Sequence, residues 1–236
     1  MVPSLSGPEQ VNSASAKHYI HVAAPIPPHL TPDDVKAALH DHNTCLTLQA
    51  LTTGHKKLDD TKPEVRKDTY WYPVDIHGLT AYEVTEVITI MPFIGEWGKR
   101  TISFLAHFQN TPHGLKSRAD AAGGVTLRAE FRVIKGDTAD AEVEGEGEGV
   151  GHAEWVLVED VEVSCAWYMM PLVRGSAEKA HRDICKKVVE KVEMEKRQEA
   201  LAKTAAKGKE RAGSRSGSDG VRSPEAEPLP DKISYR

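Results

Sequence analysis

The chain has 236 residues and a formal net charge of −5, with 39% hydrophobic, 28% charged and 6% aromatic residues. This suits one ordinary domain with polar extensions. It provides no overall basic field for nucleic acid, and no apolar run approaches the ~20 residues that a membrane-crossing helix needs.

Met1 to Ser15 has no charged segment followed by an apolar one, so no secretory signal is read and the cytoplasm is the default compartment. Residues 1–16 are rich in Ser and Pro and predict a disordered leader. Lys17 to Ala24 reads as a first strand, stopped by Pro25, Pro27 and Pro28, because proline donates nothing to a sheet ladder. Thr31-Pro32-Asp33-Asp34 is a helix start: a hydroxyl cap, a proline at the first helical position and two acids at the positive end of the dipole. A second short helix is predicted over Asn43 to Leu48, with Asn43 as its cap and Cys45, Leu46 and Leu48 facing inward.

Strands follow. Ala50 to Leu58 is a candidate, Asp59 to Asp68 a charged loop, and Thr69 to Ile76 an edge strand or stiff loop carrying Tyr70, Trp71 and Tyr72 around Pro73. Ala81 to Met91 alternates Tyr82, Val84, Glu86, Ile88 and Ile90 against Glu83, Thr85, Val87 and Thr89. Arg100 to Asn110 places Ile102, Phe104, Ala106 and Phe108 on one face and Ser103, Leu105 and His107 on the other. A turn at Thr111-Pro112-His113-Gly114, a short strand to Ala119 and a turn at Gly123-Gly124 lead to Val125, Leu127, Ala129, Phe131 and Val133 at every second position. Hairpin-length connections make this sheet antiparallel.

Residues 136–151 contain Glu-Gly-Glu-Gly-Glu-Gly and predict a flexible acidic loop rather than a Ca²⁺ site, since the Asp/Asn spacing of a calcium loop is missing. From Glu154 the period is two again, with Trp155, Leu157, Val161, Val163, Cys165 and Trp167 on one side. From Leu172 it becomes helical, with Ala177, Ala180, Ile184, Val188 and Val192 forming one stripe of a single long helix that ends near Lys203. Its last turns are polar nearly all round, and Glu190, Glu193, Glu195 and Glu199 among the lysines weaken any case for an acidic membrane surface. Residues 206–236 predict a disordered tail, in which Ser223-Pro224 is compatible with phosphorylation. The structured domain is therefore placed at 17–205.

Cys45, Cys165 and Cys185 are odd in number and widely spaced, which argues against a disulfide framework and a C-x-x-C metal site. His40 and His42, two apart on a helix, point about 200° away from one another and cannot chelate one ion. They read as helix-end residues favoured at the negative pole.

The order of elements, with Ala38-Leu39-His40-Asp41-His42, Tyr82-Glu83-Val84-Thr85-Glu86 and Val161-Glu162-Val163-Ser164-Cys165, resembles the helix-grip superfamily, which includes START lipid-transfer domains, birch-pollen-allergen-like proteins and polyketide cyclases. It most resembles an uncharacterised fungal family of START-like proteins, over roughly Lys17 to Lys203. An Asn-Pro pair is expected in that family where Gln49-Ala50 stands. The resemblance implies an α+β helix-grip (START-like) fold: a curved antiparallel sheet of about six to seven strands around a long C-terminal helix, two short helices after the first strand, and an apolar cavity between sheet and helix.

The candidate lining residues are Tyr82, Ile102, Phe104, His107, Phe108, Leu127, Phe131, Val163, Trp167, Met170, Ile184 and Val188, with Met91, Met169 and Met170 at strand ends where a mouth would lie. The expected function is binding of a hydrophobic small molecule or lipid without catalysis, with no cofactor, metal, nucleic acid or integral membrane segment. One alternative is a cyclase- or aromatase-like enzyme acting on a polyketide-type molecule, with His107 and Tyr82 or Tyr168 as an acid/base pair. The other is an interaction protein whose side chains fill the core.

Overall fold

The computed structural model describes residues 15–89, 97–137 and 153–214. Most of the expected leader, most of the acidic loop, Met91 and the end of the tail lie outside them. The chain divides into two units, Met1–Met194 and Glu195–Arg236.

The first unit is built on a seven-stranded, wholly antiparallel sheet in the order β1-β7-β6-β5-β4-β3-β2. The strands are β1 (Ser15–Pro25), β2 (Thr52–Leu58), β3 (Leu79–Thr89), β4 (Lys99–Thr111), β5 (Gly114–Ala121), β6 (Val125–Lys135) and β7 (Trp155–Ala166). β1 begins two residues before the predicted start and pairs along its whole length with β7, Ser15 opposite Ala166 and Pro25 opposite Val156. β1 and β2 are therefore the two edges of the sheet. Two short helices, α1 (Pro32–His40) and α2 (His42–Leu48), connect them. With the helices gathered on the sheet's inner face, this is the α+β helix-grip fold.

Local chemistry explains the helix starts. Thr31 caps α1, its hydroxyl accepting from the Asp34 N–H at 3.2 Å while the Asp34 carboxylate accepts from the Thr31 N–H at 3.0 Å. The cap of α2 is Asp41 rather than Asn43, since the Asp41 carboxylate accepts from the Asn43 N–H at 3.3 Å. The β5–β6 turn uses Gly123 (φ +78°) and Gly124 (φ +73°), a left-handed pair that side-chain-bearing residues adopt at a cost.

The segment between β2 and β3 is not a strand. It contains a one-turn helix, α3 (Pro63–Arg66), and then crosses the outer face of the sheet as a loop. The Tyr70 hydroxyl donates to the Ala129 carbonyl at 2.8 Å, Gln109 Nε2 donates to the Tyr72 and His77 carbonyls, and Asp68 pairs with Arg118 and Arg128. Lys116 Nζ lies 4.7 Å from the ring centres of both Tyr70 and Tyr72.

The predicted single C-terminal helix is two: α4 (Met170–His181) and α5 (Ile184–Ser214). No glycine or proline stands at Arg182-Asp183, so the helical period runs through the joint unbroken and does not reveal it. Ile184, Cys185, Val188, Val189 and Val192 of α5 pack with Val35 and Leu39 of α1 and with Phe108, Leu115, Phe131 and Leu157 of the sheet. The second unit carries the rest of α5, whose residues 195–206 are exposed. The helix runs past Lys207 to Ser214, further than the predicted start of the tail.

Candidate functional site

The inner face of the sheet is apolar because every second residue of β3, β4, β6 and β7 points to it. Over most of that face the helices fill the space, but under α4 the side chains are short. α4 presents Ser176, Ala177 and Ala180, and the sheet answers with Ala106, Ala119 and Ala121, so the two layers are held apart by backbone spacing without enough side-chain volume between them. The result is a cavity of about 160 Å³. Its walls include Ile102, Phe104 and Phe108 of β4 and Leu127 and Phe131 of β6, with Cys45 and Leu46 of α2 at one end.

Two acidic side chains and a histidine stand among these apolar residues on the inner face. Glu159 occupies an inward position of β7, opposite Phe131 on one neighbouring strand and Val22 on the other. Its carboxylate meets His181 Nδ1 at 2.7 Å, the two side chains being 0% and 3% exposed. Burial opposes charge on His181, but the charge and hydrogen bond of Glu159, with a smaller contribution from Glu86, outweigh it and raise the imidazole pKa. The second oxygen of the Glu159 carboxyl group, Oε2, is buried and without a hydrogen-bond partner among the described residues.

The third group is Glu86 on β3. Burial raises its pKa against the opposing effects of the Thr52 hydroxyl, which donates to it at 3.4 Å, and of the His181 charge. Glu86 and His181 both line the cavity. Together they offer a carboxyl group and an imidazole whose Nδ1 is already engaged. Cys45 and Cys185 nearby are held as thiols, first by burial and then by the negative charge of Glu159.

Of the sequence-predicted lining residues, Ile102, Phe104, Phe108, Leu127 and Phe131 stand in the cavity wall. The other seven stand elsewhere. Tyr82 faces inward, but its hydroxyl is 3.2 Å from His42 Nδ1 and its ring packs edge-on against Phe108. Val163 packs with Ala129 and Ala177. Ile184 and Val188 are fully buried in the core under α5, so the helix over the cavity is α4. Met170, at the start of α4, is outside the wall. Trp167 follows the end of β7 and is 64% exposed. His107 lies on the outer face, 1% exposed, with its pKa lowered by burial. His107 and Tyr82 are thus on opposite faces of the sheet and Tyr168 is exposed, so these residues make no acid/base pair.

Sequence reasoning missed Glu86, Glu159 and His181, yet each left a signal. Glu159 breaks the apolar alternation between Leu157 and Val161, Glu86 sits in register with Val84 and Ile88, and His181 follows Ala177 by four residues on the helical stripe. A charge on a face that must be buried needs a partner, and that is the pattern to look for.

His40 does not act only at its helix end. Its Nε2 sits 3.1 Å from the Thr111 carbonyl and 3.0 Å from that of Gly114, tying α1 to the β4–β5 turn, while His42 Nε2 sits 2.8 Å from the Asn110 side-chain oxygen. Among the described residues no group of three or more His, Cys, Asp or Glu is placed to hold a metal ion. No helix among them is long and apolar enough to cross a membrane.

No curated protein matches the chain. Among solved structures it is similar to TTHA0849 from Thermus thermophilus, at 9% identity and a TM-score of 0.41 over 76% of this chain and 97% of that one. It is also similar to Ara h 8.0201, at 12% identity and a TM-score of 0.44 over 76% and 98% of the two chains. For the Zhui aromatase/cyclase from Streptomyces sp. R1128 the values are 12% and 0.44 over 76% and 93%. The model of a family described as a domain of unknown function, DUF7053, matches residues 15–194, which take in the whole sheet, both short N-terminal helices, α4 and the buried part of α5, and the chain belongs to that family.

Proposed function

We propose that the chain binds a hydrophobic small molecule or lipid in the cavity between the sheet and α4, without transforming it. The observation that carries this reading is the unfilled space itself, walled by Phe104, Phe108, Phe131 and their apolar neighbours. Empty apolar space forfeits dispersion contacts that a ligand restores. The same volume disfavours a core filled by its own side chains.

The test is native mass spectrometry of the purified chain, followed by organic extraction and identification of what co-purifies. A stoichiometric apolar compound, or saturable uptake of the neutral dye N-phenyl-1-naphthylamine that weakens in Phe104→Trp, supports the proposal. An empty protein that takes up no dye refutes it.

Glu86 and His181 favour a second reading, acid/base turnover of a polyketide-type carbonyl compound, because both can exchange protons inside an apolar enclosure. Time-dependent change of a bound compound, abolished in Glu86→Gln, would support that reading over simple carriage.

A further inference from the structure

We infer that the ligand is a neutral, hydroxyl-bearing apolar molecule, its hydroxyl donating to Glu86 and accepting from His181 while its hydrocarbon body lies against Phe104, Phe108 and Leu127. This rests on the ligand-binding reading above and specifies the polar end of the same site.

Among the described residues the Glu86 carboxyl has one hydrogen-bond partner, the Thr52 hydroxyl at the long distance of 3.4 Å. The His181 ring is held through Nδ1 to Glu159, and it also borders the cavity. A wholly apolar ligand would displace water from both groups and replace none of its hydrogen bonds, which costs more than the apolar contacts of a few carbons return.

The charge of the candidate group follows from the same residues. A ligand carboxylate would stand beside the carboxyl of Glu86 and offer only acceptors, and a ligand ammonium would stand beside the His181 ring and offer only donors. A hydroxyl has one donor and two acceptor lone pairs, so it meets both groups without adding charge. Sites that hydrogen-bond a ligand's hydroxyl reject the analogue lacking it strongly, because their own polar groups are then left unpaired.

The experiment displaces N-phenyl-1-naphthylamine from the full chain with four compounds of one shape: 2-naphthol, 2-methylnaphthalene, 2-naphthoate and 2-naphthylmethylamine. The wild type is expected to bind 2-naphthol about tenfold tighter than 2-methylnaphthalene. Glu86→Leu is expected to bring that ratio to about one by weakening 2-naphthol alone, and Glu86→Gln, which keeps a hydrogen-bonding group of the same shape, to retain most of the preference.

Equal affinity of 2-naphthol and 2-methylnaphthalene for the wild type overturns the inference and leaves the cavity reading standing. So does a preference for the acid or the amine, or a preference for 2-naphthol that survives in a folded Glu86→Leu. Failure of all four compounds and of the dye to bind overturns the cavity reading itself. The wild-type comparison needs no variant, so a Glu86→Leu chain that fails to fold leaves the inference exposed to refutation.

Discussion

Replacing His181 by leucine should be the most informative stability test in the domain. His181 and Glu159 are 3% and 0% exposed at the side chain and 2.7 Å apart, so neither charge can turn to water when the other is removed. Removing one partner of a buried ion pair typically costs about 3–5 kcal/mol, most of it the desolvation of the charge left behind. His181→Leu is expected to fall in that range by urea denaturation followed by circular dichroism. Glu159→Leu/His181→Leu, which removes both charges and keeps the volume, should recover most of the loss.

The pH dependence checks the same pair independently. The imidazole pKa is raised in the folded chain above its ordinary 6.5, so the folded state holds this proton more tightly than the unfolded one. Its contribution is complete below about pH 6.5 and is lost as pH rises through the folded value, at a slope of at most about 1.4 kcal/mol per pH unit for one proton. That alkaline slope should be missing from both leucine variants. A His181→Leu cost below about 1 kcal/mol, or a double variant as unstable as the single one, would refute the assignment of a buried charged pair.

Four further outcomes are expected. Ala177→Leu places a larger side chain on the cavity side of α4 and should weaken N-phenyl-1-naphthylamine binding at least tenfold while leaving the melting temperature unchanged or slightly raised; unchanged binding would separate the dye site from this cavity. Gly114→Ala would set a Cβ 2.2 Å from the Phe131 carbonyl oxygen, and thermal melting should show a loss of about 2–4 kcal/mol. Asp68→Asn should cost about 2–3 kcal/mol by urea denaturation, since it weakens the pairing that holds Arg118 and Arg128 against the outer face. Burial would raise the Asp68 pKa, but the hydrogen bond from the Tyr70 N–H and the two guanidinium groups lower it, so in the wild type this contribution is present above about pH 3.8 and lost as pH falls through the folded value. Deleting Lys207 to Arg236 should leave the melting temperature unaltered, because among the described residues no α5 side chain from 193 to 206 is buried, and a large drop would show that the removed residues pack on the domain.

The alternation of Ile102, Phe104 and Phe108, and of Leu127 and Phe131, was legible because a strand's side chains change face at every residue whatever surrounds it. The start of α1 was equally local, since Thr31 and Asp34 hydrogen-bond within four residues. Hairpin lengths set the antiparallel run from β3 to β6. The overall order of elements, together with the family resemblance, was enough for the fold class.

What the tertiary structure alone decided involves segments far apart in the chain. The pairing of β1 with β7 joins residues 15–25 to 156–166, and no local pattern encodes it. Trp167 fits the β7 alternation perfectly and is nevertheless exposed, because the strand ends one residue before it. His107 alternates outward and would face water on a bare sheet, but it is buried on the outer face. The separation of α4 from α5 moved Ile184 and Val188 into the core and gave the cavity to Ala177 and Ala180. A periodic pattern reports which way each side chain points. A cavity is the volume left over after several segments have packed, and a buried pair such as Glu159–His181 depends on where two distant backbones pass, so neither is a property of any single stretch of sequence.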